Sequence, residues 1–382
     1  MSDPSTRALL PAGLRDGLPP DAAFEAGVAE RLLASFAAYG YARVNPPLIE
    51  FEESLFAGAG AETAGMTFRL MDPASQRMMG VRADITPQIA RIATTRLEHA
   101  PRPLRLSYCG DVLRVAGSQL RPERQFTQVG AELIGAEAPG GDAEVVVLAA
   151  ESLAAVGVTR FSVDLTLPTL APAMCEDLGL DDETTARLRA ALARKDAAGV
   201  AAVGGRAAEL LGGLLAAAGP AARAIAALER LALPPRAAGL RDHLGEIAGL
   251  VAEAAPDLDL TVDPVEHRGF EYQTGVSFTL FGLGVRGELG RGGRYHAGDG
   301  AGEPATGFTL FMDTVLRALP GPEAVRRLFL PAGVARAEAA RLRAEGWIAV
   351  AGLEAVDDPA AEARRLACTH LYRDGEIVGV DE

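Results

Sequence analysis

Two successive pairs of strand-like segments constrain the fold of this 382-residue chain more than any other feature. In the first pair, MTFRLMD and QRMMGVRAD flank Asp72-Pro73-Ala74-Ser75, a composition typical of a tight turn. In the second pair, LRLSYCGDVLRV and RQFTQVGAELIG flank a polar loop. Parallel neighbours would need a long crossover, usually a helix, between the members of each pair. The sequence therefore predicts an α+β fold in which helices flank an antiparallel sheet.

Helical periodicity predicts three elements around these strands. Residues 21–39 carry an apolar stripe at helical spacing, and ITPQIARIATTRL reads as a helix with Pro87 near its first turn. A third helix is predicted from about Gly307, because apolar residues share one stripe up to Pro320-Gly321-Pro322. The segment YARVNPPLIEF follows the first helix and contains two prolines. It is therefore predicted to be an edge or interface strand.

Changes of composition divide the chain into a large and a small domain. Ala, Leu, Arg and Glu dominate residues 173–255 at helical spacing, which indicates a helical insert. Pro320-Gly321-Pro322 is typical of a linker. The residues after it alternate strand-like and helical segments and finish in a hairpin at Asp374-Gly375. We expect one domain over residues 1–320, containing the insert, and a small C-terminal α/β domain over residues 325–382.

Charge and missing motifs exclude several classes of function. The net charge of −14 gives no electrostatic footprint for nucleic acid. No apolar run approaches membrane length and the N-terminal segment has no apolar signal core, so we expect a cytoplasmic protein with no membrane partner. Cys109, Cys175 and Cys368 lack CxxC spacing and are typical of reduced thiols. The single lysine, Lys195, lies in no phosphate-loop motif, and the five histidines lack paired ligand spacing. Neither a cofactor nor a metal is expected.

A polar strand face supplies the first candidate site. If Gln125 to Ile134 form a strand, Gln128, Gly130 and Glu132 lie on one face, and the residues between them form an ordinary apolar face. Glycine has no side chain, so we expect it to leave room for the body of a ligand between the amide and the carboxylate.

Three other segments could complete a pocket around that face, the last of them through glycines that let the backbone approach a ligand closely and a tyrosine after them. The candidates are Arg82, Asp84 and Thr86, which alternate; Arg268, Phe270 and Tyr272, which also alternate; and Gly292, Gly293 and Tyr295. A pocket of Asp84, Gln128, Glu132, Tyr272 and Tyr295 would suit a small cationic ligand such as an amino acid, because carboxylates satisfy an ammonium group. The run GAGAETAG at 58–65 lacks the spacing of a nucleotide loop and is predicted to be a mobile loop.

Five motifs, in order, resemble the signatures of the histidyl-tRNA synthetase family. They are RADIT (82–86), LRVAGSQLRPERQFTQVGAELIG (113–135), HRGFEYQTG (267–275), GGRY (292–295) and GF (307–308). The likeness covers about residues 9–319, including the first helix, the proline-containing strand and the helical insert. It implies a class II aminoacyl-tRNA synthetase-like antiparallel sheet. It also implies a homodimer formed by the apolar stripe of the first helix and the strand after it.

The same resemblance implies a set of histidine-binding residues. Those that match the histidine pocket of the family are Asp84, Thr86, Gln128, Glu132, Tyr272 and Tyr295. Arg114 matches the arginine that binds the substrate carboxylate and the ATP α-phosphate, and Arg268 matches the arginine peculiar to histidine activation. The pocket departs from the family at Asp84, which stands in place of a glutamate, and at Gln273, which replaces a tyrosine.

The segments that handle ATP in the family depart further from its pattern. Synthetase motif 2 continues from its arginine into His-Glu-Arg, whereas Val115-Ala116-Gly117 follows Arg114 here. Motif 3 should end in an arginine that clamps the ATP phosphates, but Thr314 stands there. Losing one essential cation costs on the order of a thousandfold in rate. We therefore expect a non-catalytic protein, although compensation by Arg317, nearly one helical turn further on, stays open.

The C-terminal segment also differs from that of a synthetase. An anticodon-binding domain has roughly a hundred residues, whereas residues 321–382 contain 8 Arg and 11 Asp/Glu. A short, net-negative module is a poor binder of tRNA, so no tRNA partner is expected. This combination resembles the regulatory subunits of ATP phosphoribosyltransferase, a family of synthetase paralogues. The resemblance implies a short-form catalytic subunit as partner, a hetero-octamer, and feedback regulation by histidine at the first step of histidine biosynthesis.

Two other functions stay open at this point. The chain could be a histidine-adenylating enzyme or histidyl-tRNA synthetase, which pyrophosphate exchange with ATP and histidine would reveal. It could also be a stand-alone histidine-binding module, which co-purification with a catalytic partner would exclude.

Overall fold

The computed structural model describes residues 9–118, 121–266, 272–298, 302–322 and 325–380. The chain forms two compact units, Met1–Gly321 and Pro322–Glu382. The candidate site lies in the first unit, so the arrangement of that unit is given in more detail.

The strands of the described residues are numbered in chain order. Those of the first unit are β1 (Ala42–Arg43), β2 (Ile49–Phe51), β3 (Arg69–Met71), β4 (Met78–Val81), β5 (Leu104–Leu113), β6 (Gln125–Ile134), β7 (Phe161–Thr166), β8 (Gly219–Pro220), β9 (Asp259–Asp263), β10 (Ser277–Gly282), β11 (Glu288–Ala297) and β12 (Glu303–Phe311). Those of the second unit are β13 (Arg327–Leu330), β14 (Ile348–Ala351), β15 (His370–Arg373) and β16 (Glu376–Gly379).

The helices are numbered in the same way. In the first unit they are α1 (Asp21–Ala38), α2 (Glu52–Leu55), α3 (Thr86–Arg91), α4 (Pro139–Val156), α5 (Leu170–Asp177), α6 (Asp182–Ala193), α7 (Ala197–Ala201), α8 (Gly205–Ala217), α9 (Ala221–Glu229), α10 (Pro235–Ala254) and α11 (Met312–Arg317). In the second unit they are α12 (Arg336–Ala344) and α13 (Pro359–Arg365). A 3₁₀ helix covers Gly58–Met66, and a π-helical turn, Ile92–Arg96, extends α3.

The main sheet has the strand order β1-β5-β6-β12-β11-β10-β7-β9-β8. From β5 to β7 every neighbouring pair is antiparallel. The parallel pairs β1–β5 and β7–β9 lie towards the two ends. The predicted antiparallel sheet is therefore confirmed, with a parallel pair added near each edge. The predicted hairpin at 72–75 joins β3 and β4, which form a separate small sheet with β2.

Strand β6 has the predicted bounds and the predicted two faces. Val129, Ala131 and Leu133 pack with residues of α1 and α4 in one apolar core. On the other face, Phe126 and Ile134 pack in a second cluster with residues of α3, β5 and β11. The alternation of β6 therefore separates a face covered by helices from a face on which a cavity forms.

The predicted helix from Gly307 is wrong, because Glu303–Phe311 form β12 and the helix α11 begins only at Met312. Strand β12 pairs with β11 on one side and with β6 on the other. Its residues from Ala305 to Phe311 are buried on both faces. A strand that is buried on both faces reads as a continuous apolar run, in which a helical stripe can be found by chance.

The predicted first helix is confirmed within one residue, but its apolar stripe does not form a free surface. Val28, Leu32 and Phe36 have no exposed area, because they pack into the core of their own chain against β6 and α4. The ring of Phe36 makes an edge contact with that of Phe308, with centroids 5.4 Å apart. The expectation that this stripe forms the homodimer contact is therefore wrong. The proline-containing segment splits into β1, an edge strand of the main sheet, and β2.

The region after β6 contains two elements that no sequence pattern predicted. Helix α4 buries the consecutive residues 145–150 and shows no regular polar face, and β7 follows it. The predicted insert is present as α5 to α10, with the short β8 between α8 and α9. Among the described residues, no helix combines the length and the apolar composition that a membrane span requires.

The second unit alternates strand and helix and ends in the predicted hairpin at Asp374-Gly375. Strand β13 lies between β14 and β15 and is parallel to both, whereas β15 and β16 are antiparallel. Leu328 and Leu330 pack against α12, and Phe329 packs against α13 on the opposite face.

Candidate functional site

A cavity of about 510 Å³ lies on the face of the main sheet that α1 and α4 leave uncovered. Its floor is formed by β6, β11 and β12, and its walls include the start of α3 and the 3₁₀ helix Gly58–Met66. The segment 58–65, predicted to be a mobile loop, therefore has regular structure and contributes Glu62 and Thr63 to the wall. Eight of the candidate residues line the cavity: Asp84, Thr86, Arg114, Glu132, Tyr272, Gly292, Gly293 and Tyr295.

Glu132 is the most deeply placed polar group of the cavity, with 1% of its surface exposed. Its Oε1 accepts hydrogen bonds from the hydroxyl groups of Thr86 at 3.0 Å and Tyr108 at 3.4 Å. Its Oε2 accepts one from Tyr295 at 3.0 Å. Burial raises the pKa of this carboxyl group to about 8, although the hydroxyl donors oppose the shift.

Gly307 makes room for that carboxylate. It stands directly opposite Glu132 in the pairing of β12 with β6, and a Cβ atom at this position would clash with the carboxylate. Side chains that are paired across two antiparallel strands lie within about 5 Å of each other. A glycine here is therefore a steric requirement for the observed position of Glu132.

Gly130 has a different role from the one expected. Its cross-strand partner on β5 is Tyr108, and a Cβ atom at Gly130 would meet the Tyr108 ring and the Phe308 carbonyl oxygen. The space above this glycine is therefore occupied by Tyr108 rather than left for a ligand. The Tyr108 hydroxyl lies 2.7 Å from that of Thr309. This contact helps to hold the Tyr108 hydroxyl where it donates to Glu132.

Gln128 was expected in the pocket, but it is not among the residues that line the cavity. Its side chain is fully buried and its Oε1 accepts a hydrogen bond from the Ile85 amide at 3.0 Å. Its Nε2 donates to Asp84 Oδ2 at 3.3 Å, and the Thr86 amide donates to Asp84 Oδ1 at 3.0 Å. Gln128 therefore holds the loop that presents Asp84, and Asp84 itself is the group on the cavity wall.

Arg82 shares a strand end with Asp84 and Thr86 in the sequence, but it does not line the cavity. It is 5% exposed and donates to the carbonyl oxygens of Asp111 at 2.7 Å and Pro46 at 2.9 Å. Arg82 therefore satisfies buried backbone groups between two segments. Arg268 and Phe270, also named as candidates, lie outside the described residues.

A second group of side chains gives the cavity positive charge at the end nearer Phe126. Arg114 donates to the Ala83 carbonyl oxygen at 3.3 Å, and its guanidinium lies 5.0 Å from the Phe126 ring centroid. Burial lowers the pKa of Arg114, and the neighbouring Arg291 and Arg121 act in the same direction. Arg291 also lines the cavity and pairs with Glu288 at 3.3 Å.

Sequence reasoning missed Arg291 and Tyr108. The alternation of β11 could have identified Arg291, because it lies two residues before Gly293 and four before Tyr295 on the same face. Tyr108 carried no comparable signal, since a tyrosine within an apolar strand is usually part of a core. Its role is visible only once β5 is paired with β6.

The aromatic residues beside Glu132 are held in fixed positions. Tyr272 and Tyr295 make an edge contact with ring centroids 6.1 Å apart. Burial raises the pKa of both hydroxyl groups, and the nearby carboxylates add to the shift, so both stay neutral and Tyr295 donates to Glu132. Gln273 is buried and donates to the Gly292 carbonyl oxygen at 3.3 Å, and it does not line the cavity.

The arrangement suits a small ligand that carries both charges. Carboxylates and hydroxyl groups converge at the Glu132 end, and guanidinium groups converge at the Phe126 end, as an amino-acid zwitterion requires. Within the described ranges, no three His, Cys, Asp or Glu side chains are grouped so that they could hold a metal ion. The cavity therefore has the chemistry of a binding site for a polar small molecule.

Residues 13–315 match the family model described as Histidyl-tRNA synthetase. The ATP phosphoribosyltransferase regulatory subunit of Paramagnetospirillum magneticum is 60% identical over 381 residues, which cover 100% of each chain. A crystal structure described as an ATP phosphoribosyltransferase regulatory subunit/histidyl-tRNA synthetase from Bacillus halodurans has a TM-score of 0.79 at 26% identity, covering 94% of this chain and 96% of that chain. A chain of the ATP phosphoribosyl transferase (HisG:HisZ) complex from Thermotoga maritima shares the fold, with a TM-score of 0.60 at 17% identity, over 75% and 97% of the two chains.

The fold and the family match define the class, a histidyl-tRNA synthetase-like protein, and confirm the resemblance seen in the five motifs. At the identity and coverage found for its relatives, the chain belongs to the family of ATP phosphoribosyltransferase regulatory subunits.

Proposed function

We propose that this chain is the non-catalytic regulatory subunit of an ATP phosphoribosyltransferase and that it binds histidine as the feedback signal for the first step of histidine biosynthesis. The observation that carries the proposal is the zwitterion-binding cavity, in which Glu132 lies beneath three hydroxyl groups and Arg114 supplies positive charge. The names of the close relatives support the regulatory role.

Histidine would lie with its ammonium and imidazole groups towards Glu132 and Asp84, and with its carboxylate near Arg114. Thr86, Tyr272 and Tyr295 would complete its surroundings, and Gln128 would hold Asp84 in place. Arg268 is retained in the proposal on the strength of the sequence resemblance alone. The bound histidine meets acidic groups at one end and arginine at the other, so each of its charges finds an opposite charge.

The surroundings of Thr314 support a non-catalytic role. Thr314 is buried, and its hydroxyl accepts a hydrogen bond from Arg317 Nη2 at 3.0 Å. Arg317 also approaches Asp313 Oδ2 at 3.7 Å and Glu123 Oε1 at 3.9 Å. A guanidinium held among these partners is poorly placed to replace the phosphate-clamping arginine of a synthetase. Ala116 likewise offers no carboxylate for a nucleotide base.

We further propose a cytoplasmic assembly with a short-form catalytic subunit, organised as a hetero-octamer around a homodimer of this chain. The similar chain from Thermotoga maritima belongs to an ATP phosphoribosyl transferase (HisG:HisZ) complex, which supports a two-component enzyme. With the stripe of α1 buried, the homodimer would use the proline-containing segment, where Leu48 and Ile49 are exposed. The small domain over residues 325–382 is proposed to serve the assembly, and no tRNA is expected as a partner.

Reconstitution tests the function directly. The chain is mixed with a short-form catalytic subunit, and phosphoribosyl transfer is measured with and without histidine. We expect the catalytic subunit to need the chain for full activity. We also expect the two proteins to co-purify as a complex. In parallel, ATP–pyrophosphate exchange with histidine should be absent. Clear exchange would favour an adenylating enzyme, and histidine binding without any effect on the catalytic subunit would favour a stand-alone binding module.

A further inference from the structure

The two phenylalanine rings at the arginine end of the cavity are covered by guanidinium groups of the protein itself. The Cζ atom of Arg121 lies 3.9 Å from the ring centroid of Phe311 and 4.9 Å from that of Phe126. Arg114 approaches the Phe126 ring at 5.0 Å, and Arg291 approaches the Phe311 ring at 5.8 Å. The rings contact each other edge to face, with centroids 6.0 Å apart. Arg121 therefore contacts both rings at the distance of a cation–π interaction.

Arg121 is fixed in this position by a buried ion pair. It is 9% exposed, and its Nε donates to Asp313 Oδ2 at 3.2 Å, where the Asp313 side chain is 2% exposed. The amide of Arg121 donates to the Ser118 hydroxyl at 3.0 Å, which holds the backbone as well. Breaking a buried ion pair is costly, because it leaves an uncompensated charge away from water. We therefore expect Arg121 to stay on the rings when a ligand enters the cavity.

Neither the size nor the wall of the cavity excludes a nucleoside. The volume of about 510 Å³ lies in the range of pockets that bind small molecules. Phenylalanine and arginine are also side chains on which proteins stack nucleobases. A base at this end of the cavity would have to lie on Phe126 or Phe311 at van der Waals distance. Since Arg121 lies at that distance from Phe311 and is buried beside both rings, the place of the base is already taken.

We propose that Arg121, held by Asp313, excludes nucleosides and nucleotides from the cavity by occupying the place in which a base would stack on Phe126 and Phe311. The inference deepens the proposed function and rests on it, because a site for a zwitterionic amino acid has to reject other anions. The arginines on the cavity wall attract a nucleotide phosphate as well as a carboxylate, so charge alone does not separate the two classes of ligand. Arg121 adds the steric criterion that does.

Calorimetry of the full-length chain with adenosine tests the proposal. Adenosine has no phosphate, so its binding reports stacking and not attraction to the cavity arginines. The variant is Arg121→Ser combined with Asp313→Asn, which removes both charges of the buried pair together. We expect adenosine to bind this double variant about five- to a hundredfold more tightly than the wild type, which is the contribution of one base stacked on an aromatic ring. No gain in the folded double variant would overturn the proposal.

The matched control is Arg124→Ser, which uncovers the ring of Phe68, 5.0 Å from the Arg124 guanidinium and not part of the cavity wall. An equal gain of adenosine binding in this control would also contradict the proposal, because any uncovered ring would then suffice.

A nuclear magnetic resonance measurement on the wild type does not depend on how the variants fold. The Nε–H signal of Arg121, shifted by the ring current of Phe311, should stay unchanged when adenosine is added. A signal that moves would refute the exclusion even if L-histidine binds. If L-histidine does not bind to the wild type while adenosine is still excluded, the proposed function fails instead, so the two failures can be distinguished.

Discussion

The two ends of the cavity are built in opposite ways. At the Glu132 end, the carboxylate is fully enclosed and receives hydroxyl groups from α3, β5 and β11. At the Phe126 end, Arg114 is only partly buried and contacts one backbone carbonyl and one aromatic face. The first end has a fixed geometry and, within the described residues, a carboxyl group that pairs only with hydroxyl groups, whereas the second has long, adaptable side chains. We infer that the acidic end selects the ligand and the arginine end adjusts to it.

The largest effect is expected from Glu132→Ala. A buried charge-assisted contact contributes roughly 1.5–3 kcal/mol, so histidine binding should weaken by about ten- to a hundredfold. Calorimetry on the chain and inhibition curves on the reconstituted complex would measure it. Because coupling between two sites is reciprocal, the complex should stay active but lose sensitivity to histidine. Unchanged affinity and inhibition would show that the regulatory site lies elsewhere.

A slightly smaller effect is expected from Gly307→Ala. The added methyl group would displace the Glu132 carboxylate, and overpacking of this kind costs about 1–3 kcal/mol in stability. Denaturant unfolding would measure the loss, and histidine affinity should fall with it. The matched control is Gly249→Ala on α10, where the new Cβ meets nothing within 4 Å. That control should be neutral or stabilising, since alanine favours a helix. Equal stabilities of the two variants would contradict the steric role of Gly307.

The raised pKa of Glu132 predicts a dependence of stability on pH. The folded value of about 8 lies above the ordinary value of 4.5, so the folded state holds a proton that the unfolded state has lost. The contribution of this group is therefore complete below pH 4.5 and decreases up to pH 8, by about 1.4 kcal/mol per pH unit at most. Comparing the unfolding free energies of the wild type and Glu132→Gln between pH 5 and pH 8 isolates it. Parallel pH profiles would show that the carboxyl group ionises normally.

Arg114→Gln should weaken histidine binding by about tenfold, because a contact between two charges is lost while Arg291 remains on the same wall. Histamine, which lacks the carboxylate, should bind the wild type and the variant equally. Comparing the two ligands therefore distinguishes the contribution of the arginine end to binding from that of the acidic end. If histamine binding weakens as much as histidine binding, Arg114 supports the cavity structure and does not contact the carboxylate.

The smallest effect is expected from Arg317→Ala. Arg317 contacts Thr314, Asp313 and Glu123 and does not line the cavity, so histidine affinity should change by less than about twofold. A surface variant, Arg206→Ala, serves as the reference for the loss of one arginine. A clear loss of histidine binding in Arg317→Ala alone would show that the cavity extends to this guanidinium.

Much of the site could be predicted because its signals are local. The alternation of Gln128, Gly130 and Glu132 identified a polar strand face, neighbouring patterns added Asp84, Tyr272 and Tyr295, and the motif resemblance added Arg114. The functions of Gln128 and Gly130 could not be assigned in the same way. Both depend on which residues stand opposite them, Tyr108 for Gly130 and the Ile85 amide for Gln128. Strand pairing brings together residues that are far apart in the sequence, so a short segment of sequence does not show it.

The misplaced helix at Gly307 has the same cause. The apolar residues between 307 and 311 are compatible with the period of a helix and with that of a strand. The strand forms because β6 and β11 satisfy the backbone hydrogen bonds of β12 on both sides. The apolar stripe of α1 was identified correctly, but only the packing against β6 and α4 showed that its own chain covers it.

The sequence by itself determined the antiparallel core, the insert, the C-terminal hairpin and most of the polar groups at the cavity. These features depend on hydrophobic periodicity, turn composition and the order of motifs, which are all local properties of the sequence. Tertiary structure alone decided that, among the residues the structure describes, no cation pairs with Glu132, that Gly307 stands opposite it, and that Arg291 and Tyr108 belong to the site. These facts depend on pairing between β5, β6, β12 and β11, which brings together residues up to about two hundred positions apart. The charge of a buried group depends on such neighbours, so its chemistry cannot be determined before the fold is known.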